Sequence, residues 1–508
     1  MYVEPKLVRK HFEQTAKLLR AIPPEDVANW LLTKGYFPEP NIVPPSFSVG
    51  SSSLKAEPYN KDVSSLTRRQ LSTLSYPKSL LTSRQFAIMH PWNYHDVVFY
   101  LYQIWTKILN ILFHQKQRIY PYSLPIPVSA RGGGTLSNLR AGRMIYEWLQ
   151  MAENDLVSDA VSYRFFAKTD IANFYASIYT HSVAWAIEGR DEAFNDKGFA
   201  LYGNKIDRLL QYANDGRTNG ISVGSALSDL IAEVVLSDVD RRVSENLEGL
   251  DFVAVRFKDD YRILTRREED AKEVLREISN QLAEINLSLN ENKTHIAHLP
   301  DGLYRGHDRE YFPHSLKTKK EISFKTFEHT LLIALDIHRR YPGTSILEKF
   351  LSELFDKRNN LKLVFPNKKN QELNQVKKLF SLLFLVKQES EKTLSHVLAI
   401  IQAVVLNKKH FKEPLKAFLH TVVKSEIEIA SSKGSAFEIV WYVFFSRYLG
   451  LGITAFAELI NNNEIQKNAF VSSMVNSQNK LYPDTNADLF KKPKDCKHQA
   501  LVDYLDVF

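Results

Sequence analysis

Cysteine is almost missing. The single Cys496 among 508 residues excludes an intramolecular disulfide and any cysteine-rich zinc site, which fits a reducing compartment. The cytoplasm is the expected location. Long apolar runs are missing too: stretches such as residues 379–386 fall well short of the ~18–20 residues a membrane span needs. Residues 1–6 are followed by no signal-like apolar core, so no membrane partner is expected. Neither charge sign dominates. The 66 Lys and Arg against 58 Asp and Glu leave +8, with an isoelectric point near 9.1. This excess favours a polyanionic partner without requiring one. What is present is length: the chain is too long for one ordinary core and predicts two or more domains that need no covalent staple.

Residues 5–34 carry a helical pattern interrupted by Pro23-Pro24. Pro38, Pro40, Pro44, Pro45 and the serines near 50 then make a segment too rich in proline and serine for helix, read as an extended arm or linker. From about 91 to 299 helical stretches mix with short β-branched or aromatic runs, notably 163–167 and 252–257. Beyond about Phe324 the strands are expected to stop. Apolar residues recur there at helical spacing around 326–340, 345–356, 373–387, 393–406, 412–429, 435–449 and 453–463. The expected layout is a helical segment and arm at 1–80, an α+β region at 81–315, and an all-α domain at 316–508. The last could stack as HEAT-like helical repeats or form an irregular bundle, since no fixed sequence period is found.

Four pieces carry chemistry. Lys168-Thr169-Asp170-Ile171-Ala172-Asn173-Phe174-Tyr175 runs from a strand into an acid; taken alone, Asp170 reads first as a cap or turn residue for a helix beginning near Thr180. Phe257-Lys258-Asp259-Asp260-Tyr261 sets two carboxylates in the turn between two apolar runs, where they repel unless a cation neutralises them. Phosphoryl transfer by two metal ions needs such convergent acids. Between these lies Asn219-Gly220-Ile221-Ser222-Val223-Gly224-Ser225, whose glycines permit a nucleotide or template base to approach the backbone, or simply cap the helix that follows. The fourth, 282–294, ends in Lys293, a proton donor for a departing pyrophosphate or a solvated lysine.

In this order the four pieces resemble motifs A, B, C and D of the reverse-transcriptase palm, over roughly residues 160–299. Thr169-Asp170-Ile171 with Asn173-Phe174-Tyr175-Ala176-Ser177-Ile178-Tyr179-Thr180-His181-Ser182 resembles more narrowly the AbiK-like bacterial abortive-infection (Abi) reverse transcriptases. So does Phe437-Glu438-Ile439-Val440-Trp441, ahead of Leu449-Gly450. The resemblance implies reverse-transcriptase-like fingers and palm followed by an all-α C-terminal domain. It implies that Asp170, Asp259, Asp260 and the Ile171 carbonyl hold two magnesium ions, for which manganese can substitute. Tyr175 matches the aromatic gate that excludes a ribose 2′-hydroxyl, and Gly224 lies in the nucleotide-facing loop. Arg131, Arg140 and Arg143 fall where the fingers neutralise a triphosphate, with at least one of them expected to be surface charge.

Three departures stand out. Lys258 occupies a place usually small or apolar, Ser222 and Ser225 stand where prolines are usual, and Val223 replaces a template-contacting glutamine. The family further implies DNA synthesis from deoxynucleoside triphosphates without a template, primed by a tyrosine hydroxyl and leaving single-stranded DNA covalently attached. Homo-oligomerisation as a trimer or hexamer, and phage defence, complete the expectation. Tyr2, Tyr36, Tyr59 and Tyr76 are the candidate primers because an arm could reach the palm. Basic clusters at Lys317-Lys319-Lys320, Arg339-Arg340, Lys357-Arg358 and Lys368-Lys369, with Tyr341 and Phe365 nearby, could guide a strand or form solvated faces. The rivals are a templated RNA-directed DNA polymerase and a helical scaffold or phage sensor with a silent polymerase fold.

Overall fold

The computed structural model describes residues 6–78, 82–128, 136, 151–365, 369–476, 480–496 and 500–505. Nine strands occur among them: β1 (Ser72–Pro77), β2 (Ser83–Ile88), β3 (Ile119–Pro121), β4 (Phe165–Asp170), β5 (Phe252–Phe257), β6 (Asp260–Thr265), β7 (His295–His298), β8 (Ile322–Ser323) and β9 (Leu363–Val364). The apolar runs of β5 and β6 bury almost every residue, which a strand covered on both faces requires. They form the middle of a five-stranded sheet ordered β3-β5-β6-β4-β7. β3 runs parallel to β5, and the remaining pairs are antiparallel.

Two long helices pack with this sheet. Glu268–Ala283 buries Ala271, Val274, Leu275, Ile278 and Leu282, an i, i+3, i+4, i+7, i+11 stripe, and places Glu268, Glu269 and Asp270 in the first turn where the helix dipole favours anions. Ala226–Asn246 is buried on nearly all sides, and Ser225 caps it by accepting from the Ser228 amide at 3.2 Å. A helix begins at His181, just after Thr180, as the sequence suggests.

The chain divides into two compact units. The first comprises Met1–Phe37, Ser51–Leu71 and Ala87–Tyr304; the second comprises Pro38–Gly50, Ser72–Phe86 and Arg305–Phe508. The first eighty residues are thus shared between the units instead of standing as one segment. The proline- and serine-rich stretch is irregular, as expected, but it is not a free arm: Ile42, Val43 and Phe47 are at most 3% exposed. Proline forbids helix there, yet the apolar side chains still gain by burial.

The second unit is dominated by helices, among them Phe324–Arg340, Ile346–Ser352, Lys369–Glu389, Leu394–Asn407, Lys412–Lys433 and Ala436–Leu449. The expected helix at 453–463 is reduced to the single turn Phe456–Leu459. Strand structure does not end at Phe324, because β8 pairs in parallel with β9. The Phe437–Trp441 segment is a seam of this core. Phe437 meets Tyr76 edge-on at 5.0 Å, Glu438 pairs with Lys387, and the Trp441 indole donates to the Ile42 carbonyl at 3.2 Å. Among the described residues, no helix is long and apolar enough to cross a membrane.

Candidate active site

Three acidic residues lie at one end of the sheet through strand register. β4 ends on Asp170, whose partner across the ladder is Asp260, the first residue of β6. Asp259 sits in the turn between β5 and β6, and its carbonyl accepts the Ile171 amide at 3.0 Å. The Asp170 carbonyl accepts from the Asn290 amide at 2.7 Å, tying the segment before Lys293 to the same strand end. Motifs widely separated in sequence are thereby joined by main-chain bonds.

Like charges opposite each other on a sheet destabilise it, by about 3 kcal/mol for ~5 Å at an effective dielectric of ~20. Cations answer this. Lys293 Nζ pairs with Asp170 Oδ2, Lys168 Nζ lies 3.3 Å from Asp260 Oδ2, and Arg262 Nη2 lies 3.9 Å from the same oxygen. The other oxygens, Asp170 Oδ1 and Asp260 Oδ1, are buried without a hydrogen-bond partner. Buried carboxylate oxygens are costly to leave unpaired, and hard oxygen donors suit magnesium or manganese. No group of three acidic, histidine or cysteine residues among those described forms a ready-made metal cage. The fit is nonetheless sound, because magnesium is commonly held by one or two carboxylates completed by substrate phosphates.

Around the acids the chain is braced from below. Lys258 adopts a left-handed conformation, φ 52°, at the hairpin turn; its amide donates to Ser123 Oγ at 2.7 Å and its carbonyl accepts from Arg256 Nη1 at 3.0 Å. Arg256, inaccessible to solvent, also meets Asp240 Oδ2 at 2.7 Å and Glu233 Oε2 at 3.1 Å. Tyr261 donates to Asp240 at 3.1 Å and Ser123 to Glu233 at 2.5 Å. Burial pushes the Asp240 carboxyl up to about 6, although Arg256 opposes it. Burial alone would lower the Arg256 guanidinium; Asp240 and Glu233 outweigh it and raise it.

Tyr175 follows motif A with its hydroxyl donating to Asp229 Oδ1 at 2.5 Å, while Asp229 Oδ2 accepts from Lys258 Nζ at 3.0 Å. Burial, then Asp229, raises the phenol well above its ordinary value. The glycine-rich loop lies along the same stretch: the Ile221 amide donates to the Tyr175 carbonyl at 3.0 Å and the Gly220 amide to the Ile178 carbonyl at 2.8 Å. Gly220 has φ 85°, and a Cβ there would stand 3.1 Å from the Ala176 carbonyl oxygen, so glycine is required. Gly224 also has positive φ, 127°. Ser222 and Ser225 share hydrogen bonds with Ser228 at 3.0 and 2.9 Å, the role these hydroxyls take in place of prolines.

Of the proposed site residues, Asp170, Ile171, Asp259, Asp260 and Lys293 are brought together, and Tyr175 borders them. Arg131, Arg140, Arg143 and Tyr2 lie outside the described residues. Tyr36 is buried with its hydroxyl donating to the Met89 carbonyl at 2.6 Å. Tyr76 is half-buried and its hydroxyl accepts from Asn41 at 3.3 Å. Tyr59 is 41% exposed, its ring stacked on Trp92 at 5.6 Å with Lys55 Nζ 3.8 Å from the ring centre. Asp229, Glu233, Asp240, Arg256, Lys168 and Arg262 escape a reading of motifs. A signal existed, since 229, 233 and 240 share one face of an apolar helix and Arg256 interrupts an apolar strand.

Residues 107–329 match the sequence profile of the family described as reverse transcriptase (RNA-dependent DNA polymerase). The chain carries a reverse transcriptase domain. Such a domain indicates nucleotidyl transfer of the polymerase type, which as a class uses divalent metal ions. Among solved structures, apo telomerase from Candida tropicalis truncated from its C-terminal domain aligns at 15% identity over 49% of this chain and 52% of its own, with TM-score 0.32. The chain therefore spans about half the length of that relative. Apo telomerase from the same organism aligns at 13% identity over 77% of this chain and 70% of its own, TM-score 0.34. Telomerase from Candida albicans, complexed with a fragment of telomeric RNA, aligns at 12% identity over 71% and 65%, TM-score 0.29. No curated protein matched the sequence.

Proposed function

We propose that this chain is a DNA polymerase that joins deoxynucleoside triphosphates at Asp170, Asp259 and Asp260, starting from a tyrosine hydroxyl and using no template. The observation that carries the polymerase reading is the pairing of Asp170 with Asp260 across β4 and β6, each with one buried oxygen left without a partner. These three carboxylates and the Ile171 carbonyl are the donors for two magnesium or manganese ions. Ions held there would supply Lewis-acid chemistry, lowering the pKa of an attacking hydroxyl and offsetting the charge of the triphosphate.

The rest is the work of side chains already placed. Lys293 holds a proton at Nζ beside Asp170 and is the group that can hand it to departing pyrophosphate. The Tyr175 ring walls the sugar side of the site and disfavours a 2′-hydroxyl. Template independence is supported by Val223 in place of glutamine, with its carbonyl accepting the Ala87 amide at 2.9 Å. Of the described primer candidates Tyr59 alone is exposed, so it stands first among them. The abortive-infection resemblance of 173–182 and 437–441 supports a role in phage defence and a trimeric or hexameric assembly. A location in the cytoplasm accords with the lone cysteine.

A second reading, an RNA-directed polymerase copying a bound template, is favoured by the family to which residues 107–329 match. One assay separates them. The purified protein is incubated with magnesium and each labelled deoxynucleotide, with neither primer nor template. Label retained on denatured protein and released by protease supports tyrosine priming; Tyr59→Phe then tests the site. Incorporation only after primer and template are added establishes the templated reading. None under either condition, with Asp259→Ala as control, leaves a silent scaffold.

A further inference from the structure

The three motifs around the acids meet at one side chain that chemistry alone does not require. Asp229, on the first turn of the Ala226–Asn246 helix, spans Tyr175 of the motif A segment and Lys258 of the β5–β6 turn, one carboxylate oxygen to each, at 2.5 and 3.0 Å. Its side chain is 14% exposed and that of Lys258 is 22% exposed, so the bridge is largely sheltered from water. Lys258 is held at three points, since its amide and carbonyl are bonded to Ser123 and Arg256. It sits at φ 52°, in the left-handed region that residues carrying a Cβ rarely adopt. A lysine fixed so completely at an unfavourable backbone position, adjacent to Asp259, does more than fill a turn.

We propose that Asp229, with Lys258 as its counter-ion, is the positioning residue that fixes the Tyr175 ring and thereby sets discrimination between deoxyribose and ribose. The inference rests on the polymerase reading and deepens it. A phenol ring beside a nucleotide can exclude a hydroxyl group only if the ring cannot swing aside. Tyr175 is anchored at both ends: its carbonyl accepts from Ile221 at 3.0 Å, and its hydroxyl is tethered to Asp229. Without the tether the ring retains size but loses its fixed rotamer. Lys258 offsets the negative charge that Asp229 would otherwise add beside three further carboxylates. The motif departure at Lys258 and the unforeseen acid at 229 thus have one explanation.

The measurement is the ratio of incorporation from a labelled deoxynucleotide and the matching ribonucleotide below saturation, using the full chain, with Tyr175→Ala defining the ungated limit. Tyr175→Phe, Asp229→Ala and Lys258→Met are each expected to lower the ratio about ten-fold. The double variant Tyr175→Phe/Asp229→Ala should fall no further than either single one, because both remove the same hydrogen bond. Lys258→Arg should stay within about two-fold of wild type. Should Asp229→Ala not fold, Asp229→Asn takes its place. If Tyr175→Ala relaxes the ratio while the Asp229 and Lys258 variants keep it at the wild-type level, the inference is overturned and the gate survives. A ratio unmoved by Tyr175→Ala overturns gate and inference together. A wild-type protein that incorporates nothing with or without primer and template overturns the polymerase reading itself.

Discussion

Replacing Arg256 with methionine is a severe test of the brace beneath the catalytic turn. The guanidinium is fully buried between Glu233 and Asp240 and also donates to the Lys258 carbonyl. Its removal leaves two buried carboxylates facing each other, a change that costs about 3–5 kcal/mol. With a urea dependence of ~3 kcal/mol per molar, the midpoint should fall by about 1–1.7 M. Tryptophan fluorescence reads the relevant unit, since Trp30, Trp92, Trp105 and Trp185 lie in it. The pH dependence gives a second handle. Asp240 ionises near 6 in the fold against 3.8 ordinarily, so it contributes stability that is complete below about pH 4 and lost as pH rises through about 6. That difference amounts to about 3 kcal/mol. Without Arg256 the carboxyl is pushed higher still, so the variant's deficit should be smaller at pH 5.5 than at pH 8. A midpoint within ~0.3 M of wild type, or a deficit identical at both pH values, would refute the argument.

Asp260→Asn should abolish incorporation, by at least about a thousand-fold in a steady-state assay, while raising the urea midpoint through relief of its repulsion with Asp170. A fall in both quantities would show that Lys168 and Arg262 already offset the repulsion. Gly220→Ala should cost about 1–2 kcal/mol in the same unfolding measurement, because φ is 85° and the added Cβ meets the Ala176 carbonyl oxygen at 3.1 Å. Lys387→Met should destabilise the second unit by about 3–5 kcal/mol, as Glu426 and Glu438 lose the one ammonium buried between them. The shift is visible in the emission of Trp441.

Much of the site was legible because its chemistry demands particular residues in strands. Asp170, Asp259 and Asp260 stand out as acids attached to apolar β runs, and the runs of β4, β5 and β6 were readable with ends correct to within a few residues. Lys258 was visible as a departure, but its partner was not. Asp229 is one of several acids in the sequence around a long helix, and only the packing of that helix under the turn joins 229 to 175 and 258. The same holds for Arg256: an arginine within an apolar strand signals an unseen counter-charge, yet the register needed to name Glu233 and Asp240 lies in tertiary structure. The proline-rich stretch misled for a related reason. Proline reports where helix cannot form and is silent on burial, which Ile42, Val43 and Phe47 decided.

The division of early residues between the two units sets an order on how the protein can be made. Pro38–Gly50 and Ser72–Phe86 leave the ribosome well before Arg305–Phe508, the segment with which they belong. Ile42 waits for Trp441, 399 residues later, a delay of roughly 20–80 s at ordinary translation speeds. Until then a nascent chain carries apolar residues whose proper covering has not been synthesised. A fragment beginning at Arg305 would never receive two of its three constituent segments, and expression trials that cut there should yield aggregated material; rejoining the missing stretches in trans as peptides is the complementary route to a separable helical half.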